Sequence, residues 1–546
     1  MKSERNIRRR GREGERGMVL VLTVVLMSVL LLVAGTTAIR SIGQARVTAQ
    51  DVDAVKTFYA AEAGVEWGAA ELRALLPNNL APSQIVLDAL PQPSLTGYQF
   101  TVYSIAPVGT RTQQVIQSGD YVGLVGYIQK YRITCAAQGR RHTSRIEREI
   151  EHQFIPLFQF GVFYDKDLEI IPGPTMNFIG RIHTNADLYI AAETGINCDS
   201  YVTAIGQIWH FRKDGSHSDP PGYVKIKDQV GVYQNMWTGS YWLDERQASW
   251  PTESITRWGG MVRDSAHGVQ DLRLPLPPLA DMYEIIQRGQ AGDPPELIDA
   301  RYWYKAGVRI VDGVMRDSSG TLLSPPPGVI AYISNAFKDM RENRWMDVLE
   351  LDVGALVAAG LNPPNGILYI SGAGADDVVR IRNGTQLPAG GLTIATDNPL
   401  YVYGNYNNVS KKGSALICDA ITILSGAWDD SKSSGLLKYR VATATTVNAC
   451  IMTGHKQMAY GGSYCGGFEN LPRFLETWTG VTLTYRGSII DLWYSRKAVG
   501  TWVYGTYYTA PNRNWGFDTD LLDPANWPPG TPRAHTIQRG SWRQIS

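Results

Sequence analysis

The sequence is short of the features that usually announce a chemistry. Cysteine is scarce: five in 546 residues (Cys135, Cys198, Cys418, Cys450 and Cys465), with no CxxC pair, which excludes a zinc ribbon and a thioredoxin-type redox motif. The eight histidines are scattered and none falls in an HExxH spacing, so the zincin signature is absent. There is no GxSxG, no P-loop, and no GxGxxG joining a strand to a helix. Net charge is only +1, which leaves no global basic field to hold nucleic acid. Glycine (55) and proline (29) are too few for a low-complexity chain, and 44% hydrophobic residues suffice for a large core.

The near-neutral total hides an uneven distribution. Residues 1–17 (MKSERNIRRRGREGERG) carry seven positive and three negative side chains, so the rest of the chain is mildly acidic. Directly after this basic leader comes the longest apolar run, Met18 to Ile39, 22 residues without a charge. As a helix it would span about 33 Å, enough for the hydrocarbon core of a bilayer. It exceeds the ~7–15 residues of a signal-peptide apolar region, and it is apolar on every face, unlike a surface helix. A cleaved secretory signal is the competing reading. The arginines of the leader place the N-terminus in the cytoplasm, and everything from Arg40 onward on the far side of the inner membrane.

Nothing in the sequence breaks this helix before Pro77. Val52, Val55, Tyr59, Ala63 and Glu66/Trp67 recur near a helical period and are expected to be the face packed on a globular part. The segment RG-MVLVLTVVLMSVLLLVAG, followed by FYAAEAGVEWG, resembles the N-terminus of type IV pilins, and most narrowly the PilX group of minor pilins. The phrases IGRIHTNADLYI and GGFENLPRFLETWTGVTLTYRGSII are similar to sequences that accompany such N-termini in large bacterial proteins. The resemblance implies cleavage by a prepilin peptidase between Gly17 and Met18, with Met18 as the N-methylated first residue. It also implies other pilins and the inner-membrane assembly platform as partners. Leu22 stands at the fifth mature position, where major pilins carry a glutamate. A subunit without that carboxylate resembles tip or initiation subunits.

The expected fold class is α+β, mainly β. A leader (1–17) precedes a pilin helix (18–76, with 18–39 transmembrane), and an antiparallel β region (77–160) packs on that helix. A β-rich head (161–505) follows, with a helical insertion at about 270–360, and a C-terminal tail (506–546) ends the chain. Within 77–160, Val122–Cys135 and His142–Ile155 read as neighbouring strands. The head alternates short apolar strands with Gly, Asn and Asp turns. Hairpins would give this pattern, as would rungs of a parallel β-helix with Asn185, Asn398 and Asn405 at corners. Within the insertion, Leu279–Arg288, Tyr332–Glu342 and Val353–Gly360 have helical spacing between Pro-rich borders.

Candidate sites in the head are sparse. Cys450 and Cys465 flank a Gly-rich loop, either as a disulfide or as separate buried thiols. Asp429 and Asp430 are adjacent and would suit Ca²⁺ or a plain solvated turn; the EF-hand spacing is missing. An acidic-polysaccharide enzyme on a β-helix would draw on Asp376, Asp377, Asp429, Asp430, Arg380 and Arg382, though nothing in the sequence sets two of them a catalytic distance apart. The C-terminal stretch WYSRKAVGTWVYGTYYTAPNRNWGF is dense in Trp and Tyr, either as a contact surface or as an ordinary sheet face. The expectation is a non-enzymatic pilus subunit without cofactor or nucleic-acid partner. It is held in the inner membrane and then displayed at the cell surface, with a surface glycan or host receptor as candidate ligands of the head. A type II secretion pseudopilin and a membrane-anchored β-helix enzyme are the alternatives.

Overall fold

The computed structural model describes residues 4–77, 79–277, 280–502 and 505–545, with side chains from Gly17 onward. One helix, Glu4–Leu75, runs unbroken through the apolar segment and onto a four-stranded antiparallel sheet. Three strands of that sheet are consecutive: Gln99–Val115, Val125–Gln138 and Thr143–Pro156. The fourth is Arg533–Ile545, which pairs antiparallel with Thr143–Pro156. The expected tail is therefore no tail. Asn512–Phe517 pairs in parallel with Thr482–Gly487, and the chain then returns to close the first sheet.

The rest is a parallel β-helix. In its first half, each rung contributes three short strands to three faces: Phe160–Tyr164, Leu168–Ile170 and Met176–Phe178 in the first, then Arg181–Thr184, Leu188–Ile190 and Gly195–Cys198. Residues stack in register: Val162 on Ile182 on Val202, and Leu168 on Leu188 on Ile208. The Cβ atoms of a strand alternate, so every second residue of each short strand enters the interior, where these side chains are buried. Polar residues stack outside in the same register, as in Asn197 Nδ2 donating to Asn177 Oδ1 at 2.9 Å.

Chain order and spatial order differ along the 11-stranded face. The chain enters at Phe160–Tyr164 in its interior and winds outward to Val262–Arg263. It then passes to the far end, at Val308–Val311 and Val314–Asp317, and winds back until Ile489–Tyr494 lies beside Phe160–Tyr164. Residues 265–277 and 280–306 form a strap over the outside of this face. Leu272, Tyr283, Ile285, Ile286 and Tyr302 of the strap are buried in one cluster with Phe163, Tyr369, Ile417, Met452 and Ile490 of the sheet. The strap explains why the second face of so long a sheet needs no solvent-facing polar alternation.

The expected insertion is thus narrower than 270–360. Val308–Val311 and Arg344–Asp352 are solenoid strands. Tyr332–Glu342 is not a helix: Ile330–Asp339 is a strand paired antiparallel with Arg344–Asp352. Asn335 and Asn343 adopt left-handed φ angles of 49° and 55°, which a helix does not accommodate, and the second supplies the turn. In place of a helix at Leu279–Arg288 there is a 3₁₀ turn, Met282–Ile286, capped by the Asp281 carboxylate; Leu279 lies outside the described residues. Only Val353–Ala358 is helical as expected, with Asp352 as its N-cap.

Candidate functional site

The feature most unlike an ordinary globular protein is the segment from Met18 to Ile39. It has no partner in the structure: Met18 is 73% and Leu22 67% exposed, and the other large apolar side chains of the run are similar. Its few polar side chains are satisfied within the helix. Thr23 donates to the carbonyls of Val19 and Leu20, Ser28 to Val24, and Thr36 and Thr37 to Val33, all at 2.8–3.0 Å. A hydroxyl bonded to the preceding turn needs no water, as a lipid-embedded helix requires. The helix from Gly17 to Leu75 is long and apolar enough to cross a membrane. Gly17 and Met18 lie within the continuous helix, and no carboxylate stands at Leu22.

The second half of the helix is seated on the sheet by small residues. Ala60, Ala61, Gly64, Val65, Gly68, Ala69, Leu72 and Leu76 are buried, and Cys135, Ile133, Ile146 and Ile150 of the sheet meet them. A Cβ on Gly64 would fall on Cys135 Sγ and 2.9 Å from Phe100 Cε1; one on Gly68 would lie 2.9 Å from Ile133 Cγ2. The AAEAG segment is thus a close-approach surface, which a larger residue would lift off the sheet. This corrects the expected packing face. Val52, Val55, Tyr59, Ala63 and Trp67 are exposed, and of the expected face Glu66 alone pairs with the sheet, through Arg148 and Arg539. Both stripes have helical spacing; tight packing chose the smaller side chains over the more hydrophobic ones.

Two further contacts fasten the helix. Asp53 accepts the backbone N–H groups of Arg140 (3.3 Å) and Arg141 (2.8 Å) at the tip of the hairpin between the second and third strands. Glu66 pairs with Arg148 at 3.0 Å and with Arg539 of the last strand at 2.8 Å.

The candidates in the head are mostly committed to one another. Asp430 accepts Arg380 Nη1 at 2.7 Å and Trp428 Nε1 at 2.7 Å; Arg380 Nε in turn donates to Glu350 at 2.6 Å. Arg382 bridges Glu350 and Asp352. Asp429 caps the turn at Ser431 and pairs with Lys432. Asp376 pairs with Arg344, while Asp377 accepts from Tyr332 and the Gly374 N–H. These residues form a ladder of ion pairs across the outside of one solenoid face. No group of three or more His, Cys, Asp or Glu side chains fit to hold a metal occurs among the described residues.

All five cysteines are free thiols, so Cys450 and Cys465 are not joined. Cys450 is buried in one cluster with Ile417, Met452 and Leu521, whereas Cys465 sits in a partly exposed loop and donates to the Ser463 carbonyl at 3.4 Å. The aromatic C-terminal stretch turns inward. Trp493 lies beneath the strap and Trp502 and Tyr508 in the solenoid interior; Val503 and Tyr504 lie outside the described residues. Asn185 and Asn398 do serve at corners, Asn398 bonding the carbonyls of Gly372 and Asp377.

One cluster was not visible in the sequence. Where the two halves of the solenoid meet, the Asp167–Lys213 ion pair and the His455–Asp491 hydrogen bond (both 2.7 Å) surround a cavity of about 20 Å³, lined also by Glu169 and Cys465. Burial, and then the neighbouring Glu469, push the Glu169 carboxyl up to about 7. The volume suits a single water, not a substrate. Its members come from segments nearly 300 residues apart, and only the outward position of Glu169 between inward Leu168 and Ile170 hints at it.

Comparison with known proteins adds little. No protein-family model matches the chain, and no curated protein does. Among solved structures, the competence-associated pilin ComZ from Thermus thermophilus aligns over 90% of this chain and 97% of its own, at 11% identity and a TM-score of 0.28. That score is too low for the likeness to carry an argument.

Proposed function

We propose that the chain is a non-enzymatic, membrane-anchored subunit of a type IV pilus, of the PilX-like minor class. The observation that carries this reading is a single unbroken helix with two consecutive characters. Its first part is apolar all round and unpartnered; its second is seated by Ala60, Ala61, Gly64 and Gly68 on an antiparallel sheet. Such a helix anchors the head in a bilayer, and after extraction offers the same apolar surface to the helices of neighbouring subunits. Prepilin peptidase would cut after Gly17, removing the basic leader. With Leu22 in place of a carboxylate, the subunit has nothing to offer the amine of one ahead of it, which suits a capping or initiating position. The solenoid is then the displayed part, for adhesion or assembly. The ion-pair ladder around Arg380 favours structure over hydrolysis, because each carboxylate is already held by a cation or backbone donor.

N-terminal mass spectrometry of the mature protein tests this directly. The expected result is a chain beginning at N-methylated Met18, and a Gly17→Ala variant that keeps the leader. A chain still starting at Met1 in cells with active prepilin peptidase would sink the pilin reading. Loss of the gene should reduce piliation; normal piliation with impaired protein secretion would instead indicate a pseudopilin.

A further inference from the structure

We propose that the cleft between the four-stranded sheet, the strap and the returning chain binds a sugar acid, a ring bearing one carboxylate and several hydroxyls, such as a uronic acid residue. As a ligand for adhesion it rests on the reading of the head as the displayed part. The cleft has a volume of about 660 Å³, within the range of pockets for organic ligands and far more than an inorganic ion needs. Arg111 enters it from the first strand, Lys305 from the strap, and Arg533 from the start of the last strand.

Each cation is held by contacts that do not neutralise it. Arg111 Nη2 donates to the Leu80 carbonyl at 2.8 Å, and its guanidinium lies 3.9 Å from the centre of the Phe154 ring. The Arg533 guanidinium lies 4.0 Å from the centre of the Tyr127 ring, and the Lys305 ammonium 5.1 Å from that of Tyr302. Tyr302 is buried and its hydroxyl donates to the Gly530 carbonyl at 2.8 Å, while the Lys305 carbonyl accepts Asn365 Nδ2 at 2.7 Å. Among the described residues none of the three cations enters an ion pair, and the side chains of Lys305 and Arg533 donate no hydrogen bond. Burial pulls the Lys305 ammonium down to about 8, with Asp299 opposing and Arg533 adding to the shift. Burial lowers Arg111 as well, with Tyr131 opposing and Arg533 adding. Arg533 is thus within electrostatic reach of both other cations, and three like charges gathered without a counter-ion favour an anion.

Other lining residues narrow the class of anion. Glu296 and Asp299, on the short helix Pro295–Ala300, face the same cleft, and among the described residues neither forms an ion pair or a hydrogen bond. Two free carboxylates repel a multiply charged phosphate and accept hydroxyl donors. Leu274, Pro275 and Ile285 supply an aliphatic wall for the carbon face of a ring. A ligand that matches all three features has one carboxylate for the cations, hydroxyls for Glu296 and Asp299, and a hydrocarbon face. A sugar acid has these, free or at the end of a saccharide.

Titration calorimetry of the full chain in zwitterionic detergent micelles tests the site, with D-glucuronate as the probe. Binding is expected at a Kd of about 1 mM or tighter. Glucose, which lacks the carboxylate, and cyclohexanecarboxylate, which lacks the hydroxyls, should each bind about ten-fold more weakly or worse. Lys305→Met, which keeps the aliphatic stem, and Arg533→Gln should each weaken glucuronate about ten-fold with unchanged circular dichroism. Glu296→Gln/Asp299→Asn should weaken glucuronate but not cyclohexanecarboxylate. Absent glucuronate binding, or glucose bound as well as glucuronate, overturns the site. Cyclohexanecarboxylate bound as well as glucuronate overturns the sugar-acid assignment. Unchanged affinity in the cation variants overturns the site too, and if Lys305→Met fails to fold, the exposed Arg533→Gln decides alone. A mature N-terminus at Met18 without glucuronate binding overturns the site and leaves the pilus reading standing; glucuronate binding by a chain that still starts at Met1 does the reverse.

Discussion

Gly64 decides whether the helix sits on its sheet, and the sign of one substitution tests it. In an exposed helix, Gly→Ala stabilises by roughly 1 kcal/mol, because alanine loses less backbone entropy. At Gly64 the added methyl falls on Cys135 Sγ and lies 2.9 Å from Phe100 Cε1. Both neighbours are themselves packed, Cys135 fully buried on its strand, so neither moves freely. Overpacking of this kind costs about 1–3 kcal/mol. The net for Gly64→Ala is therefore a loss of up to about 2 kcal/mol, and Gly64→Val, which adds two methyls and β-branching, should lose more. Gly43→Ala is the control: nothing lies within 4 Å of the position its Cβ would take, so only the propensity gain remains. The double variant Gly64→Ala/Cys135→Ala removes the closer contact and should recover part of the loss. Urea unfolding in detergent micelles, followed by tryptophan fluorescence, reports the unit, since Trp67 bonds the Pro91 carbonyl and Trp542 packs edge-on against Phe58. If Gly64→Ala is stabilised as much as Gly43→Ala, the close seat is wrong.

Three other outcomes follow from buried polar groups and from the returning strand. His183 is fully buried and burial holds its pKa down to about 4, so the native state keeps it neutral while the unfolded chain takes up a proton near pH 6.5. Its contribution is complete above that pH and is lost as pH falls towards 4; at pH 5 the parent should be about 2 kcal/mol worse off relative to His183→Gln than at pH 7.5, and parallel stability curves would contradict this. Asp419 is buried and accepts from Tyr283 of the strap, the Ser495 hydroxyl, and the backbone N–H groups of Arg496 and Ala498. Asp419→Ala should cost about 3 kcal/mol or more in thermal-melt analysis, against less than about 1 kcal/mol for the exposed Asp376→Asn. Truncation after Pro532 should leave the circular dichroism of the solenoid intact yet make residues 99–156 trypsin-sensitive, because Thr143–Pro156 becomes an open edge; unchanged resistance would mean that the last strand is dispensable.

The long apolar helix was legible because 22 uncharged residues admit few structures, and the β-rich head because short strands between Gly and Asn turns do too. The twenty-residue repeat was present as well: Asp167 and Asp187 precede Leu168 and Leu188, and Asn177 aligns with Asn197. It was obscured because the third rung lengthens before Tyr223–Lys227, and the later rungs vary in length. The apolar spacing of YISNAFKDMRE fits a helix, but its pairing with Arg344–Asp352 and the left-handed asparagines outweigh that local preference. Hydrophobicity alone points to the wrong helix face, because close fit on the sheet selects Ala60, Ala61, Gly64 and Gly68 instead. The strap and the final strand were beyond reach for another reason: their partners are distant in sequence, and no local pattern encodes which sheet a segment will cover.

The pairing of Arg533–Ile545 with Thr143–Pro156 also orders events during synthesis. Glu147 meets Arg543 across 396 residues, so the sheet that carries the helix stays one strand short until residues 533–545 have been made. The helix is made long before its seat is finished. Loop closure over such a span is slow relative to local winding of rungs. Completion of that fourth strand is therefore a built-in report that the solenoid has been made, and a chain interrupted anywhere in the solenoid would present an unfinished stem.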